Sequence, residues 1–103
     1  CYANWCPPCR RAAPIFAKMS LEYACCFAKV DVDAAPDVAR LLGVMVMPTF
    51  FLLGRSTDAS GFHIKQLEAC RGWSEMSIRQ MLDVRGVKRL ETQAEESEDE
   101  HAL

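Results

Sequence analysis

Apolar residues Ala12, Ala13, Ile15, Phe16, Met19 and Tyr23 recur at intervals of about three or four, the period of an amphipathic helix. They place a first helix directly after Cys6-Pro7-Pro8-Cys9, with a kink expected at Pro14. Cys25 to Val32 is a short apolar stretch ending in Val30-Asp31-Val32-Asp33 and reads as a largely buried strand. Pro36 suits a first helical turn, Val38, Leu41 and Leu42 supply an apolar face, and Gly43 fits the left-handed closing position of a second, short helix. Thr49 to Leu53 reads as another buried strand, Gly54 to Gly61 as a polar loop, and Phe62 to Cys70 as an edge strand. After a break at Gly72, Ser74 can cap a last helix whose Ile78, Met81, Leu82 and Arg85 share a face, with Trp73 and Ile78 placed as a hydrophobic staple. The order helix, strand, helix, strand, strand, helix, without internal repeats, predicts an α/β domain: a mixed sheet with helices on both faces.

Composition fits this picture. The 103 residues are 50% hydrophobic and 25% charged, a balance suited to one packed domain. No apolar run approaches the roughly 18 to 20 residues that span a bilayer, so no membrane span is expected. Six of the 14 acids (Glu91, Glu95, Glu96, Glu98, Asp99 and Glu100) lie after residue 90, where there is no Lys or Arg. Residues 1–90 therefore hold 12 bases against eight acids and form the expected domain, and residues 91–103 form an acidic tail read as disordered and solubilising. A net +4 spread over 90 residues lacks the basic stripe and stacking aromatics of a nucleic-acid binder. The sequence opens on Cys1 instead of Met, from which a preceding piece is expected.

Two cysteines separated by two residues at a helix start can close a disulfide or bind a metal. At that terminus the free N–H groups and the positive end of the helix dipole stabilise a thiolate, which marks Cys6 as the nucleophile. It is also expected to be the solvent-accessible sulfur, while Cys9, one turn later, resolves any mixed disulfide. Pro7 and Pro8 remove two N–H donors from the loop and stiffen it. A zinc site would need a second spaced pair, whereas Cys25 and Cys26 are adjacent, so no metal is expected. Cys25, Cys26 and Cys70 fall in predicted strands, where a free cysteine acts as a small buried hydrophobe. Met45 and Met47 read as core, His63 and His101 as surface residues, and Lys29, between Ala28 and Val30, as functional. Trp73 is balanced between a groove wall and the staple on Ile78.

The segment Ala3-Asn4-Trp5-Cys6-Pro7-Pro8-Cys9-Arg10, with Pro14 downstream, resembles the active site of the thioredoxin family. Lys29-Val30-Asp31-Val32-Asp33, Pro36, Gly43, Met47-Pro48-Thr49-Phe50 and Gly72 follow at similar spacings, so the resemblance covers about residues 1–85. It implies a thioredoxin-like fold in which Met47-Pro48 is a cis bond facing the dithiol and the backbone before it pairs with substrate. It also implies that the first strand, first helix and most of the central strand precede residue 1. The buried acid that assists the resolving cysteine would stand just before Cys1, leaving Lys29 as its remaining neighbour. Two rows of backbone groups would lose their shared partner at about 1 to 3 kcal/mol per unsatisfied group, so the isolated chain is expected to be marginally folded and weakly active.

In function, the resemblance implies a protein-disulfide reductase, cytoplasmic and monomeric, with Cys6, Cys9 and Lys29 catalytic, Pro7 and Pro8 in the active-site loop, and Trp5, Met47, Pro48, Gly72 and Trp73 meeting the substrate. No cofactor is expected. The implied partners are disulfide-containing proteins and a thioredoxin-reductase-like or other dithiol reductant. Pro7, where thioredoxins usually carry Gly, resembles tryparedoxins and exported cytochrome-maturation thioredoxins. From another class, a weakly catalytic binding module is the rival reading.

Overall fold

The computed structural model describes residues 1–90; the expectations for the tail at 91–103 and for His101 lie outside the described residues. Three helices, α1 (Pro7–Ser20), α2 (Pro36–Leu42) and α3 (Glu75–Val84), accompany a hairpin of β1 (Thr49–Asp58) and β2 (Gly61–Arg71). Cys6 is the N-cap of α1, and Pro7 and Pro8 fill its first two positions, where a missing N–H breaks no helical bond. The helix continues through Pro14, which removes the N–H that would meet the Arg10 carbonyl. Gly43 closes α2 at φ 76°, its N–H donating to Arg40 O (3.1 Å). Ser74 Oγ accepts from Ser77 N–H (3.2 Å) and starts α3, as its sequence suggests.

Strands β1 and β2 pair antiparallel from Thr49↔Arg71 to Asp58↔Gly61, with a bulge beside Leu52/Leu53. The stretch expected as a loop from Gly54 to Gly61 is mostly strand, because Arg55, Ser56 and Thr57 find cross-strand partners in Ile64, His63 and Phe62. Only Ala59-Ser60 forms the turn, held by Asp58 Oδ1, which accepts from Ser60 N–H (2.8 Å) and Oγ (2.6 Å). Polar composition there marked an exposed ladder. Gly54 stands across from the bulge, where a Cβ would lie 2.9 Å from Leu67 Cδ1.

Phe50, Leu52 and Cys70 pack with Met19 of α1, Tyr23, and Ile78, Met81 and Leu82 of α3, with Ile15, Phe27, Trp73 and Val87 completing the core. Beyond the bulge the register shifts, so that the paired Leu53 and Gln66 face the other way. There Gln66 Nε2 donates to Leu42 O of α2 (2.8 Å). Helices α1 and α3 therefore pack against the hairpin through this core, and α2 meets it at the Gln66 hydrogen bond, an α/β arrangement consistent with a thioredoxin-like fold. Arg85 departs from its expected place on the apolar face: it caps α3 and reaches Glu68 Oε2 (3.0 Å) and Leu67 O (2.7 Å). Its guanidinium satisfies polar groups that a core position would strand.

The expected strand at Cys25–Val32 is corrected. Its ladder shrinks to one parallel bridge, Tyr2↔Asp31, formed by Tyr2 N–H to Val30 O (2.9 Å) and Val32 N–H to Tyr2 O (3.0 Å). Cys1 in turn exchanges bonds with Thr49, N to O at 2.7 Å and O from N at 3.3 Å. Tyr2 and Cys1 thus stand between the 30–32 segment and β1, but instead of the expected mixed sheet the described residues form a two-stranded antiparallel sheet with one isolated parallel bridge beside it. Cys25 to Lys29 finds no strand neighbour among the described residues; Cys25, Cys26 and Lys29 are exposed and Phe27 alone is drawn into the core.

Loss of a side-chain cap costs about 1 kcal/mol, whereas a buried Met or Leu cut to Ala costs about 2 to 5. Urea melts should therefore show Ser74→Ala lowering stability measurably and Leu82→Ala lowering it more; equal effects would misplace the core on α3.

Candidate dithiol site

Cys6 and Cys9 form a disulfide with Cα atoms 5.2 Å apart, an ordinary separation for such a bridge. Cys9 N–H points at Cys6 Sγ (3.3 Å). Because Pro7 and Pro8 have no N–H, it is the first backbone donor that α1 offers the sulfur. The turn leading into the helix is closed by Cys6 N–H to Ala3 O (3.2 Å). Cys6 is only 3% exposed and Cys9 6%, so the accessible Cys6 sulfur expected from the sequence is absent from this oxidised form. Ala3 is buried with the pair, and Tyr2, Val32 and Met47 pack against all three. Cys9 also lines a largely apolar cavity of about 240 Å³, together with Phe16, Phe27, Phe50 and Lys29, whereas Cys6 does not.

Trp5 is 63% exposed beside the dithiol, yet its indole is held by Nε1–H to Asp33 Oδ2 (2.9 Å). Asp33 is fixed in turn by its N–H on Asp31 Oδ1 (3.0 Å). This positioning role was missed in the sequence, although the alternation through Asp31 and Asp33 put both carboxylates on one side of the chain. Met47-Pro48 is a cis bond, and Met47 packs on the dithiol cluster, not in the main core. Pro48 is fully buried and its carbonyl accepts from Gly72 N–H (2.8 Å). Gly72, at φ 85°, can make that turn without a Cβ penalty.

Trp73 lies on the core, its ring centroid 5.9 Å from that of Phe50, and packs against the cluster that contains Ile78, on the side that the expected staple requires. Lys29 is exposed, not buried between strand neighbours, and its Nζ sits 4.8 Å from the Tyr2 ring centroid. The remaining cysteines are free. Burial, then the neighbouring Cys26, pushes the Cys25 thiol up; burial, then Glu68, does the same at Cys70, whose Sγ rests 3.6 Å from Met81 Sδ. Neither is a low-pKa nucleophile. Cys25 and Cys26 are exposed, contrary to the buried role expected of them, because the strand that would have covered them is not formed. Among the described residues no group of three or more His, Cys, Asp or Glu side chains could hold a metal ion, and no helix is long and apolar enough to cross a membrane.

A second polar cluster sits at the hairpin turn. Ser60 Oγ and Asp58 Oδ1 lie 2.9 Å and 3.2 Å from the same His63 nitrogen, Nε2. A relay would use both ring nitrogens, one for each neighbour. This cluster stabilises the turn, and His63 is a surface residue tied into it.

The Thioredoxin family model matches residues 1–72. Thioredoxin-like protein 1 of Schizosaccharomyces pombe is 44% identical over 63 residues, covering 56% of this chain and 22% of that protein. A thioredoxin of Borreliella burgdorferi is 43% identical over 66 residues, covering 59% of this chain and 56% of its own length. The crystal structure of a reduced thioredoxin pre-protein from Schistosoma mansoni superposes with a TM-score of 0.64 at 29% identity, covering 80% of this chain and 70% of that one. The chain thus spans between about one fifth and just over half of the length of these two curated relatives. The family match takes in the dithiol turn, the Trp5–Asp33 contact and the cis-Pro48 loop, and the chain belongs to the thioredoxin family.

Proposed function

We propose that this chain acts as a thiol–disulfide oxidoreductase that reduces protein disulfides. The observation that carries this reading is the Cys6–Cys9 disulfide at the N-terminus of α1, with the Cys9 N–H aimed at the Cys6 sulfur. In the reduced protein the Cys6 thiolate attacks one sulfur of a substrate disulfide and expels the other as a thiolate. The Cys9 thiolate then attacks Cys6 Sγ, which closes the Cys6–Cys9 bridge and releases the second substrate thiolate. Two electrons pass to the substrate, and a partner dithiol, thioredoxin-reductase-like or other, returns them. No further cofactor enters the cycle. Trp5, Met47 and the backbone before Pro48 form the rim that meets the substrate, with Gly72 and Trp73 supporting it from behind Pro48. Lys29 lines the same cavity as Cys9, which supports assigning it an influence on the resolving thiol. Four free cysteines beside one bridge suit a reducing, cytoplasmic setting, and the chain works as a monomer.

In an insulin-reduction assay, Cys6→Ser should fall to background. Cys9→Ser should accumulate a mixed disulfide between Cys6 and the substrate, visible on a non-reducing gel. Binding of disulfide clients without cysteine-dependent turnover would point to the binding-module rival.

Breaking the Trp5–Asp33 hydrogen bond removes about 0.5 to 1.5 kcal/mol of positioning, roughly a two- to tenfold effect. Asp33→Ala should raise KM for a protein disulfide by about that factor while leaving the reaction with a small aromatic disulfide nearly unchanged. An equal loss on both substrates would place Asp33 in the chemistry instead of the rim.

A further inference from the structure

Cys25 and Cys26 are adjacent, free and exposed, and the chemistry at Cys6 and Cys9 does not use them. In a paired strand two consecutive side chains leave opposite faces, which would part the sulfurs. Here no ladder forms: Cys25 lies in a bend, the chain from Cys26 to Lys29 is irregular, and both cysteines line the same cavity. Burial and then the charge of the Cys26 sulfur push the Cys25 thiol up, and the second effect marks the two sulfurs as near neighbours. Among the described residues neither cysteine enters a backbone hydrogen bond, so the pair can adjust without breaking one. No group of three or more His, Cys, Asp or Glu gathers around them among those residues. The pair therefore suits a centre that needs only two sulfurs.

The cavity they line is about 240 Å³ and largely apolar. Phe16 builds its aromatic wall, with ring centroids 5.0 Å from Phe27 and 5.8 Å from Phe50, both tilted. An apolar cavity of about 150 Å³ already accepts a benzene ring. Of the other cysteines, Cys9 lines the cavity but is tied to Cys6, Cys1 lines it singly, and Cys70 rests on Met81 outside the lining.

We propose that Cys25 and Cys26 form a chelating dithiol site for a trivalent organoarsenical, whose apolar group enters the cavity walled by Phe16, Phe27 and Phe50. A soft centre of this kind prefers sulfur ligands. With an arsenoxide R–As=O, two As–S bonds form, the As=O bond breaks, and both thiol protons leave with the oxygen as one water. Arsenic stays trivalent, so no oxidant or reductant enters. Once one sulfur is bound, the second meets the centre at high effective concentration.

The full chain with the Cys6–Cys9 bridge closed is mixed with one equivalent of phenylarsine oxide, and the remaining thiols are alkylated and mapped by mass spectrometry. Closing that bridge keeps the Cys6–Cys9 pair out of the reaction, which makes the outcome independent of the reductase reading. One phenylarsenic group per chain is expected, with Cys25 and Cys26 protected and Cys1 and Cys70 alkylated. Cys25→Ser or Cys26→Ser, each at an exposed position and checked by circular dichroism, should weaken binding at least about tenfold, because a single sulfur loses the chelate. Cys1→Ser should leave it unchanged. For the cavity, the preference for phenylarsine oxide over methylarsine oxide is compared between the folded chain and a synthetic peptide of residues 22–29. That preference should be at least about fivefold larger in the chain, since only the chain buries the ring. Protection of Cys1 or Cys70 in place of the pair, an adduct indifferent to either serine substitution, or an equal preference in chain and peptide would overturn the proposal.

Discussion

Tyr2 accepts the Val32 N–H and donates its own to Val30 O, while its neighbour Cys1 exchanges two bonds with Thr49. These four bonds join three pieces of chain that are far apart in sequence. One piece carries Asp33, which holds Trp5. The second continues through the Ala3–Cys6 turn into α1 and the dithiol. The third is the start of β1, directly after Pro48. If this junction slips, the sulfurs, the indole and the cis-Pro loop lose their common frame. A side-chain contact could flex, but a backbone bond between segments fixes register as well as distance.

The surrounding packing protects that junction. Thr49 is buried, and its hydroxyl donates to Val46 O (2.6 Å), so a polar side chain in the interior is satisfied and the loop before Pro48 is tied to the strand after it. Gly72 N–H on Pro48 O closes the same loop from the end of β2. On the far side of the hairpin core, Arg79 bridges Glu22 and Glu75 at 2.8 Å each, joining the end of α1 to the start of α3. Those two carboxylates hold its guanidinium firmly charged. The two ends of α1 are therefore held by different means, backbone pairing at the dithiol and side-chain packing with ion pairs at the other.

Features governed by neighbours in sequence were legible before the structure. Helix caps, the proline in a first turn and the left-handed glycine are local rules, and Cys6, Ser74, Pro36 and Gly43 obey them. Long-range pairing was less legible. Cys25–Val32 has the composition of a buried strand, but strands exist only by pairing, and pairing stops at Val30–Val32. Gly54–Gly61 has the composition of a loop, yet each residue from Gly54 to Asp58 has a partner across the ladder. Cys25 and Cys26 were misplaced for the same reason, since their burial depended on that strand. Asp33 and the burial of Cys6 escaped notice because a hydrogen bond across 28 residues and the closing of a disulfide leave no periodic trace.

The dependence of the site on the residue 1–3 junction can be read by native-state hydrogen exchange. The amides of Val32 and Thr49, which donate to Tyr2 and Cys1, are predicted to be protected to the same degree as that of Gly72 and to open together with it, as one cooperative unit. Rapid exchange at Val32 and Thr49 beside a protected Gly72 would show that the dithiol frame stands without the junction and contradict the account.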